Sequence, residues 1–183
     1  RQTYRWLTLD NYMDFYADDP EFNRNVSNFF TDIRWYPLPW LYTTTTAQLP
    51  VSSNTQSFSE LSTYIGVTPT DWFQVELGHY FINDHPFFRD SSLLTVDTYT
   101  RLSDNWGFST SHRFEADDST LEYQQYSIHR DLASSTATLG GIVRNNRSGE
   151  NEYGVLFSLT LKAFPKVRLP VDFQPGGLSA ENN

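Results

Sequence analysis

Trp72-Phe73-Gln74-Val75-Glu76-Leu77-Gly78-His79-Tyr80-Phe81-Ile82-Asn83 is the stretch whose pattern decides the fold. Written as an extended segment, it puts Phe73, Val75, Leu77 and Phe81 on one side and Gln74, Glu76 and Gly78 on the other. A period of two with one apolar and one polar side predicts a strand between two different surroundings. The same pattern recurs outward along the chain. In 152–164, Tyr153, Val155, Phe157, Leu159 and Leu161 oppose Glu152, Gly154, Ser158, Thr160 and Lys162. In 92–102, Leu94, Val96 and Leu102 oppose Asp97 and Arg101, and in 106–116, Trp106, Phe108 and Phe114 oppose Ser109, Ser111, Arg113 and Glu115.

About ten such segments are expected, at 4–16, 26–36, 40–48, 57–67, 72–83, 92–102, 106–116, 120–130, 134–145 and 152–164. Alternation is blurred at 40–48, where four threonines run together, and at 120–130. The joints alternate between tight and loose. Tight ones are Tyr36 to Trp40, Thr68 to Asp71, Ser103 to Asn105 and Asp131 to Ala133. Looser, more acidic ones are Ala17 to Asn25, Leu49 to Gln56, Asp84 to Ser91, Asp117 to Ser119 and Asn146 to Asn151. This alternation predicts an antiparallel meander over 1–164, with 165–183 an extended or disordered tail.

Composition agrees. Aromatic residues make up 16% of the 183 residues, as 5 Trp, 11 Tyr and 14 Phe, which favours strands over helices. No apolar run of about 18 residues exists, so no transmembrane helix is expected. The formal net charge of −9 argues against a nucleic-acid partner, which would need clustered Lys and Arg. With no Cys there are no disulfides, thiol nucleophiles or cysteine zinc sites, and no cofactor is expected.

Such alternation fits either a soluble β-sandwich or a barrel in a membrane, and tryptophan placement separates them. Chain direction reverses at each hairpin, so the tight turns share one end of the sheet. Trp35 and Trp40 flank the first of them, Trp72 and Trp106 follow the next two, and Trp6 starts the first strand at that end. The opposite end collects Phe15, Tyr16, Phe29, Phe58, Phe81, Phe87, Phe88, Phe114 and Tyr153. Trp106 to Phe114 spans about 26 Å of strand, or roughly 20 Å of depth after tilt. Two aromatic girdles at that separation predict part of a transmembrane outer-membrane β-barrel. Asp32, Arg34, Glu76, Asp97, Arg101, Arg113, Glu115, Glu122 and Gln124 are then expected to line a wet lumen. Because strand-like pattern is already under way at the first residues, earlier strands are expected upstream.

Residues 126–132 (Tyr126-Ser127-Ile128-His129-Arg130-Asp131-Leu132), the glycine-rich 137–146 and the run from Glu152 to Lys162 carry a family resemblance. A polar strand ending in a charged turn, a Gly-rich strand and a last strand closing on Leu-Lys resemble the C-terminal end of the lipopolysaccharide-assembly proteins, the LptD family. The likeness is strongest over 120–164. It implies the last strands of a larger barrel that inserts lipopolysaccharide into the outer leaflet through a weak seam between first and last strands. It also implies membrane lipid and lipopolysaccharide as partners, a lipoprotein plugging the lumen, and a periplasmic bridge protein. Tyr153, Val155, Phe157, Leu159 and Leu161 are then expected to meet acyl chains at the seam. The family commonly carries paired cysteines; this chain has none.

Ser111 and His112 suggest a nucleophile and base, but neighbours on a strand point to opposite faces, so no enzyme is expected. Asp84, His85 and Asp90, with Asp18-Asp19-Glu21 and Asp117-Asp118, offer oxygen ligands for divalent cations without the spacing of a known loop. A porin-like or structural barrel is the alternative function, with Asp97 and Arg101, and Arg113 and Glu115, either lining a solute path or satisfying one another in the interior.

Overall fold

In a computed structural model the chain is all-β and antiparallel, in one meander sheet ordered as the sequence. The structure describes residues 5–15, 17, 26–51, 58–85, 87–145 and 151–163, and the backbone of 168–173. Tyr16, the acidic Asp18-Asp19-Glu21 and most of the loops expected at 17–25, 49–56 and 146–151 lie outside these residues, as do residue 164 of the expected tenth strand and 165–167 and 174–183 of the expected tail. The strands are β1 (Leu7–Tyr12), β2 (Phe29–Leu38), β3 (Leu41–Leu49), β4 (Ser59–Thr70), β5 (Phe73–Asn83), β6 (Ser91–Arg101), β7 (Trp106–Glu115), β8 (Thr120–Asp131), β9 (Ser135–Arg144), β10 (Glu152–Leu161) and β11 (Arg168–Phe173).

Ten of these match the expected segments in order. The eleventh lies in the stretch expected as tail, where Arg168–Phe173 pairs with Thr160 back to Val155. Its Arg-Leu-Pro-Val-Asp-Phe sequence is short and carries Pro170, which is tolerated at a sheet edge because proline lacks only the outward N–H. Pro37 and Pro69 follow the same rule differently. Each sits where the register shifts, between Trp35 and Leu38 and between Val67 and Thr70, so that no ladder hydrogen bond is lost.

Each strand packs only on its neighbours in sequence, and β1 and β11 form the two edges of an open sheet. The two packed sheets of a sandwich are not formed by the described residues. There is accordingly almost no buried apolar core: among the described residues Ile82, 3% exposed, is the one fully buried hydrophobic side chain. The fold holds through its ladders and through cross-strand side-chain rows.

Candidate functional site

Registers decide what each face carries, since directly paired residues share a face. One row runs Leu9, Ile33, Thr45, Thr63, His79, Leu94 and Phe114 across β1 to β7. Another joins Ile128, Leu139 and Phe157 across β8 to β10. On this apolar face Leu77 is 48% exposed, Leu139 53% and Phe157 43%, with Leu94, Val96, Ile65 and Val155 similarly open. Strand spacing of about 4.8 Å makes the bare surface on the order of 1,000 Å², beyond the few hundred Å² that a water-soluble monomer usually leaves open.

Rings mark both ends of that face. Trp35 and Trp106 open onto it from strand ends, while Trp40 and Trp72 occupy the tight turns. Backbone bonds fix the common level: Tyr36 N donates to Trp6 O (2.7 Å), Thr68 N to Trp40 O (2.8 Å), Arg101 N to Trp72 O (2.7 Å) and Leu102 N to Trp106 O (2.8 Å). All five indoles are exposed at one rim. Arg130, paired with Trp106, lays its guanidinium 4.4 Å from the indole centroid, and Lys162 reaches Asp131 at 2.9 Å beside it. At the other rim stand Phe15, Phe29, Phe58, Phe81, Phe114 and Tyr153, with Phe87 and Phe88 in the β5–β6 loop, all exposed or half-exposed.

The polar face is not a bare row of charges. Tyr42 crosses Gly66 on β4 and donates its hydroxyl to Glu76 Oε2 on β5. Tyr64 lies over Gly78 in the same manner, and Tyr99 over Gly107. These glycines are needed for the approach: a Cβ on Gly66 would stand 2.0 Å from Tyr42 Cε1, and one on Gly78 2.7 Å from Tyr64 Cε1. Gly141, on the apolar face, would meet nothing within 4 Å. Gly66→Ala is therefore expected to destabilise by about 1–3 kcal/mol, and Gly141→Ala to change stability by less than about 0.5 kcal/mol. Equilibrium denaturation checks both, and equal costs would contradict the packing described.

Of the expected lumen residues, Glu76, Asp97, Arg101 and Arg113 share the polar face with Asp32 and Arg34, which pair at 2.8 Å. Arg113 and Arg144 stand 5.1 and 5.8 Å from the Tyr123 ring centroid. Glu122 does not join them. The register shifts between Arg113 and Phe114, so Leu121 and Glu122 together oppose Phe114, and Gln124 alternates onto the apolar face opposite His112. Glu115 has the right face but is no channel residue: it is 1% exposed, and its carboxylate accepts from Ser91 Oγ at 2.5 Å and Ser92 N at 2.7 Å.

The expected seam strand also changes place. Tyr153, Val155, Phe157, Leu159 and Leu161 do share the apolar face, paired with Val143, Gly141, Leu139, Ala137 and Ser135. However, β10 has β9 on one side and β11 on the other, so β11, not 152–164, is the sheet edge.

Ser111 and His112 fall on opposite faces, paired with Asp97 and Val96. A different pair meets instead: Ser109 Oγ lies 2.8 Å from His129 Nε2, whose Nδ1 is 2.9 Å from Thr138 Oγ1. The group behind the imidazole is a neutral hydroxyl, so the ring is oriented without a charge to stabilise an imidazolium. This contact is a diagonal one opened by Gly107 opposite His129, which linear spacing does not reveal. In the β5–β6 loop, Asp90 Oδ1 accepts from Asp84 N at 2.8 Å and Asp118 pairs with Arg89 at 3.0 Å. These carboxylates are spent on the loops, and no group of three metal-ligating side chains gathers among the described residues. No family model, curated protein or solved structure matches the chain.

Proposed function

We propose that this chain forms wall of an outer-membrane β-barrel. The observation that carries the proposal is the uncovered apolar face, edged at both ends by exposed aromatic rings. In water that face would be costly. In lipid it is the required surface, while the backbone polar groups are consumed by the ladders. Short turns mark the periplasmic side of such barrels and longer loops the outer side, which puts the tryptophan rim at the periplasm. Arg130 and Lys162 at that rim suit headgroup depth.

We further propose a role in lipopolysaccharide insertion, supported by the resemblance of 120–164 to the LptD family. In that role the Tyr153 to Leu161 row meets acyl chains, the polar face meets a plugging lipoprotein, and a periplasmic bridge protein delivers the substrate. The seam strand is then β11. The alternative is a porin-like or structural barrel, in which the polar face with Asp32 and Arg34 lines a water-filled lumen.

Refolded protein is expected to float with liposomes and to resist extraction by carbonate; protein left in the soluble fraction would refute the barrel. A photo-crosslinking residue at Phe157 in the full-length protein, in cells, then separates the two roles. Adducts with lipopolysaccharide support insertion. Their absence, together with steady conductance in planar bilayers, supports the porin.

A further inference from the structure

Two serine–histidine contacts occur among the described residues, and one of them has the third partner that a nucleophile and its base require. His79 Nε2 lies 3.1 Å from Ser92 Oγ, but its Nδ1 has no hydrogen-bond partner among the described residues. His129 is held at both nitrogens, with Ser109 Oγ 2.8 Å from Nε2 and Thr138 Oγ1 2.9 Å from Nδ1.

Register fixes this group on the polar face. Thr138 stands directly opposite His129, and Gly107 on the other flank leaves room for the imidazole to lean across to Ser109. Tyr99, directly opposite Ser109, completes it. The Tyr99 ring lies 5.9 Å from the imidazole, and its hydroxyl reaches over Gly107, where an added Cβ would be 2.5 Å from it. That hydroxyl makes no hydrogen bond among the described residues, and Tyr99 is 40% exposed, so a solute on the polar face has access to it.

A neutral imidazole donates from one nitrogen and accepts at the other. In the tautomer that donates from Nδ1 to Thr138, the Nε2 lone pair faces the Ser109 hydroxyl. The geometry points to an esterase site, with Ser109 as nucleophile, His129 as general base and Tyr99 as donor to the oxyanion. Thr138 is the positioning residue. As Ser109 Oγ bonds to the carbonyl carbon, its proton passes to His129 Nε2, and the carbonyl oxygen takes the electron pair and accepts from Tyr99. Collapse breaks the ester C–O bond, and the alcohol leaves with the proton from Nε2. Water then attacks the acyl-serine by the same relay, releasing the carboxylic acid and restoring the Ser109 hydroxyl. With a hydroxyl rather than a carboxylate behind the imidazole, turnover is slow.

The surroundings select the ester. The row of Ser109 continues through Ser127 and Gly140 to Leu156, and the next row carries Ile142 beside Gly154. Small side chains leading to two half-buried aliphatic ones make a shallow floor that fits a short acyl group. The substrate class is therefore a short-chain carboxylic ester of a water-soluble alcohol.

The full chain, refolded in detergent, is treated with a fluorophosphonate, and adducts are mapped by mass spectrometry; hydrolysis of p-nitrophenyl butyrate is followed in parallel. Expected is one adduct, on Ser109, with both reactions lost in Ser109→Ala and slowed about a hundredfold or more in His129→Gln. Tyr99→Phe slows both. Thr138→Val slows both and Thr138→Ser, which returns the hydroxyl, restores them, whereas a merely structural role would not distinguish the two. Ser92→Ala and Ser111→Ala leave both unchanged. Circular dichroism confirms that each variant keeps its strands, and Ser109→Cys, which preserves size, gains a thiol whose alkylation by iodoacetamide slows when His129 is also changed to Gln. No adduct on Ser109 in the folded chain, an adduct on Ser92 instead, or labelling that survives His129→Gln would each overturn the site. The site stands on strand registers alone, so loss of the membrane reading would leave it in place.

Discussion

Leu77→Arg is expected to lower stability by about 2–4 kcal/mol when the protein is unfolded from lipid. Leu77 is midway between Phe73 and Phe81 on β5, flanked by Ile65 and Val96, so the guanidinium would sit near mid-membrane with no rim in reach. Gln74→Arg, on the opposite face and near the tryptophan rim, is expected to be almost silent. The contrast is diagnostic because the side chain at 77 is half-exposed in the folded protein. In water, arginine at such an open position changes stability by less than about 0.5 kcal/mol. Denaturant unfolding of both variants from vesicles decides the matter, and equal costs would mean that the two faces have been assigned the wrong surroundings.

Glu115→Ala is the second large effect, expected at about 3 kcal/mol. Its carboxylate ties the start of β6, through Ser91 Oγ and Ser92 N, to the end of β7, and the group is almost completely enclosed. Removing it leaves a buried N–H and a hydroxyl without their acceptor, which costs more than the net worth of the bonds themselves. Glu115→Gln keeps one acceptor oxygen and is expected to cost roughly half as much. Had Glu115 simply lined a wet passage, either substitution would be close to neutral, so a change below about 0.5 kcal/mol would restore the channel assignment.

The pattern of apolar and polar residues made the meander legible, because period two is a local property of each segment. The aromatic rims were legible for a similar reason, since reversal at each turn converts sequence position into height. What stayed hidden depends on register. Gln124 keeps the alternation of Ile128 and Tyr126 and so shares their apolar face, while the bulge opposite Phe114 takes Leu121 out of that alternation, so a reading that starts from Leu121 as apolar misassigns Glu122 and Gln124. The Tyr42–Gly66–Glu76 row needs three strands in line before its purpose is visible, although isolated glycines within polar rows signal close approach. The pairing of His129 with Ser109 is diagonal and equally invisible to spacing. β11 is hard to read as a strand because it is only six residues long and carries a proline, although Leu169, Val171 and Phe173 alternate with Arg168, Pro170 and Asp172.

The uncapped margins of the sheet have a consequence in the parity of its strands. Among the described residues, eleven strands in unbroken up-and-down order leave β1 and β11 running the same way. If those two margins zip directly onto each other, they make a parallel junction in an otherwise antiparallel cylinder, a pairing slightly weaker per residue. Interposing an odd number of strands, whether from further along the polypeptide or from a companion molecule, restores the alternating sense. A cylinder of this chain alone therefore carries its most easily parted junction where its first strand meets its last.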